Sequence, residues 1–349
     1  MTPPRKETAV VVCPGRGTYN KDELGYFHRH HSDKLYILEP IDALRTQLEQ
    51  VSVSELDKAA RYQMKMHTAG ENASALIYAC AKGDYESIDL NQYDIKAITG
   101  NSMGWYIALA LSNALNAQSS IELINTMGSM MTDGIIGGQL IYPVVDENWH
   151  VDPQLLQEID KAKALVANIE GAEVYDSIYL GGYLVLGGNQ LALEALQKAL
   201  PPIQDRYPMG LHNHAAFHTP LLDSISKKAR AVLSPTLFQT PDVPLVDGRG
   251  HIWQPYATNL DALYEYTLGH QVTEPYDFSK AIEVSLKEFA PDKVIILGPG
   301  ATLGGAIGQC LVQHQWLEIG NKADFIQKQK EMPFVLSMGM PEQRTQVVI

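Results

Sequence analysis

Residues 94–116 read DIKAITGNSMGWYIALALSNALN. The first six are short and β-rich and predict a buried strand. The last twelve predict a helix with no polar face, and therefore a core helix. Between them stands Gly100-Asn101-Ser102-Met103-Gly104, a G-x-S-x-G pentapeptide. A strand-to-helix turn of this kind is the setting of a nucleophile elbow, in which small residues on both sides let the chain reverse sharply and lift the serine out of the sheet. The amide after the serine, that of Met103, and the helix N-terminus are then placed to stabilise an oxyanion. Ser102 is a candidate nucleophile; the bland alternative is a glycine-rich turn with a solvated serine.

Strands and helices alternate on both sides of this turn. Residues 8–13 (TAVVVC) predict a buried strand running into Pro14-Gly15-Arg16-Gly17, and residues 69–82 and 118–132 predict helices. Further on, 216–233 and 277–289 read as helices and 243–246 as a strand. Residues 292–297 (DKVIIL) read as a strand ending at Gly298-Pro299-Gly300, before the helix ATLGGAIGQCLVQH. This alternation predicts an α/β fold with a hydrolase-like, mostly parallel sheet core. Between 137 and 210 the order becomes β-α-β-β-α, which suits a small inserted ferredoxin-like subdomain. The expected division is a core over 1–136 and 211–320, the insert over 137–210, and a weakly patterned C-terminal extension over 321–349. In the polar stretch 20–60 only a helix near 41–50 is clear, and His28, His30 and His31 read as a solvated loop.

Composition narrows the function classes. Lys and Arg number 27 against 40 Asp and Glu, a net charge of −13. Such a chain repels phosphate backbones and anionic membrane surfaces, so neither nucleic acid nor membrane is expected as a partner. Three scattered cysteines, Cys13, Cys80 and Cys310, suggest neither a disulfide framework nor a zinc site. The segment MTPPRKETAVVVC is too short in apolar residues for a signal peptide, and no stretch approaches the roughly 20 apolar residues that span a bilayer. A soluble, cytoplasmic protein, monomeric or weakly oligomeric, is expected.

A serine nucleophile needs a base. His212, His214 and His218 lie together in LHNHAAFHTPLL (211–222). One reading makes one of them the base and the other two surface residues. A metal pair is the other, but no nearby Asp, Glu or Cys completes a ligand set, so no metal is expected. Gly298–Gly305 fails the dinucleotide fingerprint because Leu303 stands at the third glycine, and a structural turn is expected there. Lys227, Lys228 and Arg230 are expected on the same helix as His218, as a solvated face or a contact for an acidic partner.

Together these pieces resemble the acyl-carrier-protein acyltransferase family, whose best-known members are the malonyl-CoA:acyl-carrier-protein transacylases. Four motifs in order carry the resemblance over roughly residues 8–315. Pro14-Gly15-Arg16-Gly17 stands where the family has P-G-Q-G, and Gly100–Gly104 where it has G-H-S-x-G. Ala215–Leu222, with His218, matches A-x-H-[ST]-x-[LM], and Gly298–Leu303 matches G-P-G-x-x-L. The resemblance implies that Ser102 takes an acyl group from a CoA thioester, with His218 as base and no bound cofactor. The oxyanion would sit on the Met103 amide and a donor at Arg16, and a backbone carbonyl at Gln271 would orient His218. The acceptor would be the phosphopantetheine thiol of an acyl carrier protein; a hydrolase clearing acyl groups from carrier proteins is the alternative.

Four departures bear on specificity. Members using malonyl groups place an arginine on the helix after the elbow, where this sequence has Met127. A buried carboxylate without a partner costs several kcal/mol, so Met127 implies an apolar pocket for acetyl or a longer chain. Arg16 replaces glutamine and could instead take a carboxylate from the opposite side. Asn101 replaces histidine and is expected at the acyl pocket; Trp105 replaces an acidic residue and would narrow the acyl pocket or fill the core.

Overall fold

The structure, a computed structural model, describes residues 5–132 and 134–348; the first four residues of the N-terminal stretch read above lie outside it. Among the described residues the strands are β1 (Glu7–Cys13), β2 (Tyr93–Gly100), β3 (Gly138–Pro143), β4 (Val174–Leu180), β5 (Tyr183–Gly188), β6 (Met209–Gly210), β7 (Leu245–Val246), β8 (Ile252–Trp253), β9 (Tyr276–Asp277), β10 (Lys293–Ile296) and β11 (Val335–Ser337). They form two sheets, ordered β11-β10-β1-β2-β7-β8 and β6-β3-β5-β4-β9.

The first sheet is parallel from β11 to β7, with β8 added antiparallel. Its central strand explains the sequence: Ala9 to Cys13 are fully buried because β1 is paired on both edges and covered on both faces. The helix Gly104–Leu111 is buried at every position, as its lack of a polar face predicts. The expected mixed α/β fold with a parallel core is the observed one.

In the second sheet, the strands from 138–210 run fourth, first, third, second. That order is consistent with the ferredoxin-like expectation. The helices Pro153–Ala167 and Gln190–Ala199 start at side-chain caps, Asp152 and Asn189. They bury Ile159, Val166 and Leu196 against Leu140, Tyr142 and Leu186 of the sheet in a separate small core. Strand β9, from the segment after the insert, pairs with β4 and joins this layer to the rest.

Three expectations are corrected. The segment after 320 reaches the core: past the surface helix Lys322–Glu331, β11 is the buried edge strand beside β10, and Arg344 reaches the buried Asp84. Asp84 also accepts from Tyr26 Oη at 2.8 Å, from the Gly298 amide at 2.7 Å, and bonds His31 Nε2 at 2.9 Å. His28 and His31 are therefore not a solvated loop: His31 is buried on Asp84, and His28 Nδ1 lies 2.7 Å from Asp57. Finally, the helix expected over 216–233 starts only at Asp223, after a 3-10 turn opened by Pro220. Proline is suited to a first turn and not to a helix interior, so His218 lies in the turn before the helix.

Candidate active site

Strand β2 ends at Gly100 and the next helix begins at Gly104, leaving Ser102 at φ +56°, in the left-handed region. A non-glycine residue is held there only where its surroundings dictate it. Here the surroundings are tight. A Cβ on Gly104 would lie 2.5 Å from the Cys13 carbonyl oxygen, and one on Gly15 would lie 2.6 Å from that of Asn101. The glycines thus let the Pro14–Gly17 turn press against the elbow. Tyr276 Oη fixes the strand end by donating to the Gly100 carbonyl at 2.6 Å.

Ser102 Oγ lies 2.7 Å from His218 Nε2, and His218 Nδ1 lies 2.6 Å from the backbone carbonyl of Gln271. A carbonyl only accepts, so Nδ1 carries the proton and Nε2 turns its lone pair to the serine. Burial lowers the His218 pKa to about 4, opposed by the bond to Gln271 and aided by His270. The imidazole is therefore neutral near pH 7 and ready to accept the serine proton. Gln271 follows a π-helical turn, Tyr266–His270. Its side chain, not anticipated from sequence, accepts from Tyr106 Oη at 2.8 Å and donates to the Ser102 carbonyl at 3.1 Å. One residue thus holds both the His218 imidazole and the Ser102 backbone.

Met103 sits at the cap of the helix Gly104–Leu111, and neither its amide nor that of Arg16 meets a backbone acceptor among the described residues. Part of the Arg16 guanidinium is occupied elsewhere. Its Nη2 donates to the carbonyls of Thr68 at 2.9 Å and Asn213 at 3.0 Å, and the group lies over the Phe217 ring. Burial lowers its pKa to about 10, which leaves it charged at neutral pH.

These groups line a cavity of about 780 Å³. Met127 lines it beside Met130 and Met131, and Asn101 lines it too. The Asn101 Oδ1 is buried without a hydrogen-bond partner. Trp105 is a correction: it is fully buried outside the lining, with Nε1 donating to Thr267 Oγ1 at 3.0 Å and its edge on Tyr266. It belongs to the core. His212 is exposed, but His214 is a cavity-lining residue and not the surface histidine expected. Lys227 pairs with Asp223 at 2.6 Å and Arg230 with Glu265, so part of that basic run is internally neutralised.

No protein-family model matches the chain. The malonyl-CoA:acyl carrier protein transacylase (FabD) of Xanthomonas oryzae pv. oryzae superposes with a TM-score of 0.73 at 16% identity, over 98% of this chain and 97% of that one. The chain has the fold of the malonyl-CoA:acyl carrier protein transacylases. A malonyl-transacylase in complex with its type II polyketide synthase acyl-carrier protein matches with a TM-score of 0.68 at 18% identity, over 88% of this chain and 93% of that one. A non-reducing polyketide synthase of Aspergillus terreus is 21% identical over 336 residues, covering 90% of this chain and 11% of that protein. The chain spans about a tenth of the length of the curated relatives it matches. The transacylase fold thus agrees with the four motifs read from the sequence. Among the described residues, no helix is long and apolar enough to cross a membrane.

Proposed function

We propose that the chain moves an acyl group from CoA to the phosphopantetheine thiol of an acyl carrier protein through an ester on Ser102. The observation that carries this reading is the relay from the Gln271 carbonyl through His218 to Ser102 Oγ, at 2.6 and 2.7 Å, facing a large cavity. His218 Nε2 takes the serine proton as Oγ attacks the thioester carbonyl. The tetrahedral oxyanion is received by the amides of Met103 and Arg16. Collapse breaks the carbon–sulfur bond, and CoA leaves as a thiol carrying the proton from His218. The carrier's thiol then gives its proton to His218 and attacks the ester, and Ser102 recovers the proton as its Oγ departs. The transacylase relatives and a carrier-protein complex within the same fold support the choice of acceptor.

The acyl group is uncharged on this reading. Met127, Met130 and Met131 offer no cation, and Nη2 of Arg16 is engaged by two carbonyls, with the group stacked on an aromatic ring. A malonyl carboxylate against those methionines would be buried unpaired unless it reached Arg16, Arg206 or Lys322 elsewhere on the lining, at a cost of several kcal/mol. The test is a chase. Acyl-enzyme formed from acetyl- or butanoyl-CoA is freed of CoA and mixed with holo carrier protein or buffer alone. Transfer to the carrier, much faster than loss in buffer, is expected. Equal loss with and without carrier would make the protein a hydrolase.

A further inference from the structure

The mechanism above uses His218 and leaves His214 unexplained, although His214 lines the same cavity. Its hydrogen-bond chain fixes its tautomer. Ser177 Oγ lies 2.7 Å from the Phe217 carbonyl, which can only accept, so Ser177 donates there. Ser177 Oγ must then accept from Gln139, whose Nε2 lies 2.7 Å away. That turns the Gln139 amide oxygen toward His214 Nδ1, at 2.8 Å, and requires Nδ1 to carry the proton. Nε2 is left with a lone pair. It lies 4.0 Å from where a Cβ on Gly17 would sit, beside another lining residue, and has no protein partner among the described residues. Gln139 and Ser177 are buried, so the chain is fixed in the small sheet and not at a mobile surface. Burial and the nearby Arg16 keep the ring neutral, with a pKa near 3.

We propose that His214 is a substrate-binding residue whose Nε2 accepts a hydrogen bond from an amide N–H of the pantetheine arm. The inference rests on the acyltransferase reading and deepens it. A saturated acyl chain carries no N–H or O–H of its own, so the donors nearest the thioester are the arm's amide N–H groups. CoA and the carrier protein carry the same arm, so one acceptor serves both half-reactions. A neutral imidazole locked as an acceptor also discriminates against a carbonyl oxygen presented at that place.

The test compares two small acyl donors with the same acyl group: butanoyl-N-acetylcysteamine, which has one amide N–H, and butanoyl ethanethiol thioester, which has none. The readout is the ratio of their kcat/KM values for Ser102 acylation, in the intact protein and in His214→Leu. The ratio is expected to fall about 3- to 10-fold in the variant, the size of one neutral hydrogen bond. His214→Gln, which keeps an acceptor oxygen, should restore at least half of the lost discrimination, and it serves should the leucine variant fail to fold. A ratio unchanged in both variants, with the Ser102 ester still forming, would overturn this inference and leave the acyltransferase reading standing. No Ser102 ester from either donor in the unmodified protein would overturn both.

Discussion

If Ser102 is acylated with His218 as its base, as proposed, the pH dependence of that step follows from the burial of His218. Protonation of His218 removes the lone pair that faces Ser102, so the acylation rate tracks the neutral fraction. Burial holds that pKa near 4, against about 6.5 for a solvated imidazole. At pH 5 a group of pKa 4 is about 91% neutral and one of pKa 6.5 about 3% neutral, a roughly 30-fold difference in available base. The rate should therefore be flat from pH 8 to about 5 and halve near 4. The same shift acts on stability with a definite sign. The unfolded imidazole binds a proton near pH 6.5 while the folded one resists it, so stability is complete above that value and falls with pH toward 4. At pH 5 the loss is about 2 kcal/mol for His218 and a similar amount for His214, about 4 kcal/mol together. The assay is therefore a pH jump from neutral buffer, with acyl-CoA added, quenching within seconds and the acyl-enzyme counted by intact mass. Far-ultraviolet circular dichroism at each pH checks that the chain is folded. An acylation limb centred at pH 6.5, already about 30-fold down at pH 5, would refute a buried base at this position.

Met127→Arg should raise the preference for malonyl-CoA over butanoyl-CoA at least tenfold in kcat/KM by supplying a carboxylate partner on the apolar wall; no change would remove Met127 from the acyl site. Gln271→Ala keeps the carbonyl that holds His218 but removes the amide between Tyr106 and the Ser102 carbonyl. It should lower kcat by about tenfold with little change in KM, whereas an unchanged kcat would reduce that side chain to packing. Arg344→Ala leaves the Asp84 carboxylate buried without its guanidinium and should cost about 3–5 kcal/mol in denaturant unfolding. A loss below 1 kcal/mol would show that the C-terminal segment is not a strut.

What the sequence made legible is what depends on near neighbours. The elbow at 100–104, the buried strand at 8–13 and the apolar helix after Ser102 each follow from a dozen contiguous residues. Gln271 was reached through the motif resemblance, by its backbone position, but the contacts of its side chain depend on Tyr106 and Ser102, more than 160 residues earlier. Long-range partners hid the rest. His31 and Arg344 meet Asp84 across 53 and 260 positions, so a histidine-rich polar run gave no sign of burial. Strand β11 has three residues, too few for a period to show. Trp105 follows the G-x-S-x-G stretch, but its direction is set by Thr267, on a turn that no local pattern marks. His214 looked like one of two surface histidines because Gln139 and Ser177, which tie it into the cavity wall, lie on strands of the insert.

The most direct test of the account is the intact mass of the protein after brief exposure to acetyl-, butanoyl- and malonyl-CoA, with the adduct mapped by peptide analysis. An ester on Ser102 is expected from the uncharged donors, little from malonyl-CoA, and none in Ser102→Ala. An adduct that persists in Ser102→Ala, or one mapped to another residue, would contradict it.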